Sequence, residues 1–142
     1  MNRIMKLSNL KILLAEHDPF IADAFQIFFL SRRCVLVVVE SAEMGIHLLE
    51  KENFDVIASE FELLGKKGIG FFKRVNSLNP EAVKILITNY RDLNRVPEAL
   101  GSVVDDIIEK PFPFGEFLEI ISRHISIQSE QSKIVSLVAQ AG

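Results

Sequence analysis

Four short stretches, far apart in the chain, carry residues able to do chemistry: Glu16-His17-Asp18, Ser59-Glu60-Phe61-Glu62, Thr88-Asn89 and Lys110-Pro111. Carboxylates can hold a cation, move a proton or act as nucleophiles. A threonine hydroxyl and a lysine ammonium donate to an anion such as a phosphoryl group. Taken singly, each of these is an ordinary solvated loop residue. Other patterns are weaker. Gly65-Lys66-Lys67-Gly68-Ile69-Gly70 lacks the Walker spacing and reads as a turn. No dinucleotide-type glycine motif follows the first apolar run, and Glu-His-Asp there is wrong for a flavin phosphate. His17, His47 and His124 are not at metal spacing, although His17 with Glu16 and Glu60 offers an alternative donor set for a transition metal. Cys34 stands alone, which excludes an internal disulfide, and is expected to be inert core.

What gives the four stretches meaning is that each follows a short apolar run. The runs at 10–15, 55–58, 82–87 and 103–108 read as strands, and CVLVVV at 34–39 reads as a further, fully buried one. Segments with helical spacing lie between them. Asp18-Pro19 opens the first, with Asp18 as N-cap, and Ile21, Phe25, Phe28 and Phe29 follow on one side. Ser41 caps the second, over 42–51. Gly65, Gly68 and Gly70 are expected to punctuate a loop before a helix through Phe71, Phe72 and Val75. A fourth helix is predicted over 92–100, distorted by Pro97 and closed by Gly101, and a fifth over 113–125. Strands alternating with helices imply an α/β fold with a parallel sheet covered on both faces. In such a sheet, ligands sit beyond the carboxyl ends of the strands, which is where the four stretches meet.

On these residues the chain resembles the response-regulator receiver domain of two-component signalling. The resemblance covers 10–125 and rests on Ile12-Leu13-Leu14-Ala15, Asp18-Pro19, Phe54-Asp55-Val56-Ile57, Gly68, Ile85-Leu86-Ile87-Thr88 and Lys110-Pro111-Phe112. It implies a flavodoxin-like (βα)5 sandwich with strand order 2-1-3-4-5. It also implies a mechanism. An aspartate after the third strand takes a phosphoryl group as an acyl phosphate, and an acidic pair after the first strand holds Mg²⁺. A Thr or Ser and a Lys then bind the phosphoryl oxygens, and an aromatic residue on the fifth strand switches.

Thr88, Lys110 and Pro111, whose preceding bond is usually cis, match that pattern. Three positions depart from it. Glu60 falls at the phosphoacceptor position, the acidic pair is Glu16-His17, and the switch position is Ile107. Glu60 places its carboxylate roughly 1.5 Å farther out than Asp would. His17 is a poor ligand for Mg²⁺, which prefers oxygen. Counting His17 as neutral, Glu16 and Glu60 against Lys110 leave −1, where three acids and a lysine would leave −2, and Lys66 and Lys67 lower it further. Ile107 has no polar end. No cofactor is therefore expected; any weak Mg²⁺ site would use Glu16, Glu60 and the Glu62 backbone.

The expectation is a degenerate, non-enzymatic receiver that works by protein–protein contact independently of phosphorylation. Glu60 either partly mimics the phosphorylated state, with one charge against about two, or is an inert filler ion-paired with Lys110. The alternatives are a working phosphoacceptor, on Glu60 or a neighbour such as Asp18 or Ser59, and a flavodoxin-like ligand- or metal-binding protein. The expected partner is a histidine kinase, an effector or a second copy, docking on the fourth-helix, fifth-strand, fifth-helix face. Phe112 and Phe114 lie at its corner.

The rest of the sequence is consistent with this. Its 142 residues suit one domain, with 49% apolar and 25% charged residues. A net charge of −3 and only the short pairs Arg32-Arg33 and Lys66-Lys67 argue against nucleic acid. No run nears the roughly 18 apolar residues of a membrane span, and the basic start, 1–6, lacks a signal-peptide core, so a cytoplasmic protein is expected. Residues 1–9 read as an N-terminal extension and 126–142 as a tail: a polar linker at 128–133, then Ile134, Leu137 and Val138 on one stripe. The tail is expected to extend the last helix or fray; a dimerisation or output-coupling helix is the alternative. No output domain fits after 125, leaving a stand-alone receiver or a piece of a longer protein.

Overall fold

The structure is a computed structural model that describes residues 7–64, 67–89 and 95–141, with only the helical backbone at 126–133 and 135. Eleven elements follow in order: β1 (Lys11–Ala15), α1 (Pro19–Leu30), β2 (Val35–Val39), α2 (Ala42–Leu49), β3 (Val56–Glu60), α3 (Phe61–Leu64), α4 (Gly68–Leu78), β4 (Val83–Asn89), α5 (Glu98–Gly101), β5 (Asp106–Lys110) and α6 (Phe114–Ala141). The strands form one parallel sheet in the order β2-β1-β3-β4-β5. This is the order that the resemblance implies.

Alternation along the central strands builds two cores. Ile12 and Leu14 of β1, Val56 and Ala58 of β3 and Val83, Ile85 and Ile87 of β4 face α1 and α6. Leu13, Ala15, Ile57 and Leu86 face α2 and α4. The first core is closed by phenylalanines: Phe25 lies 5.0 Å from Phe114 and 5.4 Å from Phe117, ring centre to ring centre, both edge-to-face. Phe112 and Phe114 therefore serve the core, packed against it while half-buried. Asp18 and Ser41 cap α1 and α2 as expected, accepting from the backbone N–H groups of Phe20 and Met44. Burying Asn79, whose side chain accepts from the Phe54 N–H at 2.6 Å, locks the entry to β3.

Several local expectations need correction. β2 is an edge strand and only part-buried, with Val35 exposed; a continuous β-branched run does not distinguish an edge from a centre. Cys34 is buried but precedes that strand. Gly68 and Gly70 lie inside α4. A Cβ on Gly68 would sit 3.2 Å from the Leu100 side chain, so the glycine permits α4 to approach α5 closely. The helix predicted over 92–100 begins only at Glu98, although 90–94 lie outside the described residues. Pro97 is its extended N-cap, because a proline disfavours helix before it, and Gly101 is its last residue. β5 starts three residues later than predicted, in register with β4 from Ile85–Asp106 to Asn89–Lys110, while Val103 and Val104 pack as a turn. Lys66 and the 1–6 segment lie outside the described residues; Leu7 is buried against the α1–α6 core.

The last helix does not stop near Ile125. It continues unbroken to Ala141, so the polar stretch at 128–133 is helical backbone. No helix among the described residues is long and apolar enough to cross a membrane.

Candidate functional site

The parallel register delivers the four stretches to one sheet edge. Glu16 leaves β1 with its N–H bonded to the Val39 carbonyl and its side chain buried. Glu60 ends β3 and Lys110 ends β5, so both are positioned by sheet hydrogen bonding rather than by a loop. Thr88 lies between them near the end of β4, buried, its hydroxyl donating to the Asn89 carbonyl at 3.2 Å. A cavity of about 200 Å³ opens here, lined by His17, Asp18, Glu60, Thr88 and Lys110. The structure thus brings together all of the sequence-predicted pocket residues, with Glu16 just behind the wall.

The Lys110 ammonium donates to Glu16 Oε1 at 3.0 Å and to Glu60 Oε2 at 3.4 Å. Glu60 Oε1 accepts from the His17 backbone N–H at 2.8 Å and also pairs with the His17 ring at Nδ1. Both Glu60 oxygens are therefore engaged. Glu16 Oε2 is buried without a hydrogen-bond partner among the described residues. Asp18 faces the cavity but its Oδ1 is committed to the α1 cap. Glu62 accepts from the Asn89 side chain at 2.8 Å, closing the rim. Lys110-Pro111 is a cis peptide bond.

Electrostatics correct the charge count made from sequence. Burial, together with a shared hydrogen bond to Glu60, pushes the Glu16 carboxyl up to about 7, despite Lys110. Burial also pushes Glu60 upward, but hydrogen bonds from Glu16 and His17 and the nearby Lys110 charge outweigh it and hold it below its ordinary 4.5. The hydrogen bond and charge of Glu60 raise His17 above its ordinary 6.5, toward the imidazolium that was left out of the count. The raised Glu16 favours its neutral acid and the raised His17 favours its cation, so both shifts make the pocket less negative than the sequence count of −1.

One ligand atom from each of Glu16, His17 and Glu60 lies within 4.8 Å of the others, a mixed nitrogen–oxygen group able in geometry to hold a metal ion. The imidazole in that set favours a transition ion over Mg²⁺. Lys110 already occupies the two carboxylates and opposes any cation there. Ile107 is half-buried on β5 and packs with the α2–α4 core.

Sequence reasoning placed Ile21 on the inward side of α1 and Ile87 in β4 but missed that these two, with Phe61, make the apolar side of the cavity. Ile21 is three residues beyond the Asp18 cap and Phe61 follows Glu60 directly, so spacing from the strand ends would have found both. It also missed a tie on the far side of β5, where Asp106 Oδ2 accepts from Arg123 at 2.7 Å and lies 3.1 Å from His124 Nε2. These hydrogen bonds, with one from the Ile107 N–H, outweigh burial and hold Asp106 below its ordinary 3.8. Nothing in the sequence pairs residues 17 positions apart across two elements.

Comparison with known proteins agrees with this architecture. The sequence is 28% identical to the response regulator protein FleR of Pseudomonas aeruginosa over 114 residues, 80% of this chain and 24% of that one. It is 23% identical to the response regulator protein PilR of the same organism, over 89% of this chain and 28% of that one. The chain thus spans about a quarter of the length of these curated relatives. Its fold is similar to a CheY-like response regulator receiver domain protein of Methanospirillum hungatei, with a TM-score of 0.75, 23% identity and coverage of 87% of this chain and 99% of that one. The receiver domain of the sensor histidine kinase PA1611 of Pseudomonas aeruginosa, solved with a magnesium ion in its active site cleft, matches with a TM-score of 0.72 and 19% identity over 84% of this chain and 99% of that one. The family pattern of the response regulator receiver domain matches residues 12–122, and the chain belongs to that family.

Proposed function

We propose that this receiver domain acts in two-component signalling without being phosphorylated, with Glu60 standing at the phosphoacceptor position. The observation that carries this reading is the state of Lys110. The lysine that would clasp a phosphoryl oxygen is already held by Glu16 and Glu60. Glu60 thereby supplies the anion in place of a phosphoryl group, one charge where a phosphoryl group brings about two.

Three further features support it. Both Glu60 oxygens are occupied, and the extra methylene displaces the carboxylate by roughly 1.5 Å. Misplacement of about 1 Å can cost on the order of 100-fold in rate. The donor set does not fit Mg²⁺: His17 presents nitrogen where an oxygen is wanted, and an ammonium already bridges the two carboxylates. Ile107 has no hydroxyl to answer Thr88, so a switch of the threonine–aromatic kind has no partner on β5.

On this reading the domain is a non-enzymatic, cytoplasmic interaction module. It presents the face made by α5, β5 and α6 to a protein partner, a kinase or an effector, and needs no cofactor. Intact-mass measurement after incubation with Mg²⁺ and a small acyl-phosphate donor tests it, run beside Glu60→Asp. The expected result is no mass gain in the wild type and one phosphoryl group on the variant. A phosphoryl group on the wild-type chain would overturn the reading.

A further inference from the structure

Six of the eight exposed large apolar side chains among the described residues form two ribs: Phe20, Ile27 and Leu30 on α1, and Ile134, Leu137 and Val138 on α6. Each rib has helical spacing. Phe20 and Ile27 are seven residues apart, and Leu30 follows three later; the buried Phe25 and Phe29 mark the opposite side of α1. Ile134, Leu137 and Val138 repeat at i, i+3 and i+4, the pattern of a helix that expects a partner. Phe20 is 85% exposed, which leaves that rib open at the rim of the pocket, beside Ile21.

The two ribs cannot cover each other within one chain. α1 and α6 lie side by side and run in the same direction, with Phe114 against Phe25 and Phe28, and Phe117 against Phe29. α1 ends at Leu30, one residue past Phe29, while α6 is unbroken to Ala141. At 1.5 Å per residue, Ile134 lies about 25 Å beyond Phe117 along the helix axis. The tail rib has therefore left its own α1 behind. A helix projecting this far with an apolar stripe gains little stability from propensity alone and calls for a packing partner.

We propose that the occupant is a second copy of this chain, with the 126–141 tail of each copy lying on the α1 rib of the other. The arrangement is reciprocal, so one two-fold axis satisfies both ribs and closes the assembly at a dimer. The lengths agree: the tail spans about 24 Å and the 12-residue α1 about 18 Å. The area agrees as well. At roughly 100 Å² for each buried large apolar side chain, six give about 600 Å² per copy, so two copies bury about 1,200 Å², the lower limit for a stable interface. The charges are few: residues 126–141 contain one acid, Glu130, and one base, Lys133, and the α1 rib carries one exposed acid, Asp23, between Phe20 and Ile27.

Sedimentation velocity of the 142-residue chain, from low micromolar to near-millimolar concentration, tests the proposal. The expected result is a concentration-dependent dimer. Ile134→Lys with Leu137→Lys, and separately Phe20→Lys with Ile27→Lys, should each raise the dissociation constant by more than about tenfold, with unchanged thermal unfolding of the monomer. If either double variant fails to fold, Leu137→Glu or Ile27→Glu replaces it. A wild-type chain that stays monomeric throughout overturns the proposal. So does a variant on either rib that dimerises as tightly as wild type; an insensitive α1 variant would mean that tail pairs with tail.

Discussion

Replacing Glu16 with glutamine should remove most of the pH dependence of stability between pH 5 and pH 8. The Glu16 side chain is only 1% exposed, and its carboxyl is pushed up to about 7 from an ordinary 4.5. Between those two values the folded protein keeps a proton that the unfolded chain has released. Stability from this source is fully present below pH 4.5 and is lost as pH rises through about 7. The gap between the two values corresponds to about 3 kcal/mol. His17 is also raised, so it adds in the same direction; its ring is largely exposed and solvent-screened, which makes its share small. Glu60 is lowered, so its contribution is present above pH 4.5 and is lost only as pH falls below it, outside the window. Glutamine keeps an oxygen to accept from Lys110 and cannot titrate. Urea denaturation of wild type and Glu16→Gln at about pH 5 and about pH 8 should show the wild type losing about 3 kcal/mol more than the variant. A constant difference between the two proteins at both pH values would refute the reasoning, because Glu16 would then carry no proton in the fold.

Other substitutions probe the elements that position the pocket. Phe25→Ala empties the centre of the aromatic cluster, where Phe25 is 2% exposed and meets Phe29, Phe112, Phe114 and Phe117, and should cost about 3–5 kcal/mol by chemical denaturation. Asn79→Ala leaves the buried Phe54 N–H unpaired and should cost about 1–3 kcal/mol, measured the same way. Asp18→Ala removes the α1 cap and should cost about 0.5–2 kcal/mol in thermal or urea melts, without admitting a phosphoryl group in the mass assay.

Much of the fold was legible because its signals are local. LKILLA and AVKILI are apolar on both sides apart from Lys11 and Lys84, as central parallel strands tend to be, and both became central strands. Asp18-Pro19 and Ser41 announce helix starts through side-chain chemistry that needs no tertiary partner. Where two local signals conflicted, the reading failed. The Gly65–Gly70 stretch looks like a loop by composition, yet Gly68 opens α4 at a point where Leu100, 32 positions away, leaves little room for a side chain. The tail, by contrast, reads as an extension of the last helix or a frayed end, and the structure shows the extension, running through the polar 128–133 stretch from a helix packed on the core at Phe117 and Ile121.

The same division applies to the site. The sequence, through its resemblance to the receiver family, is what implies that Glu60, His17 and Ile107 stand at the acceptor, acidic-pair and switch positions, and the strand ends are what point to one sheet edge. Only the tertiary structure decided what those residues do to one another. Lys110 reaches Glu16 across 94 positions and Glu60 across 50, and the His17 ring turns onto Glu60. Proton affinities follow from burial and from which atoms touch, and both arise from the packing of strands distant in sequence. A charge count along the chain contains neither, which is why it takes no account of the upward shifts of Glu16 and His17 that make the folded pocket less negative.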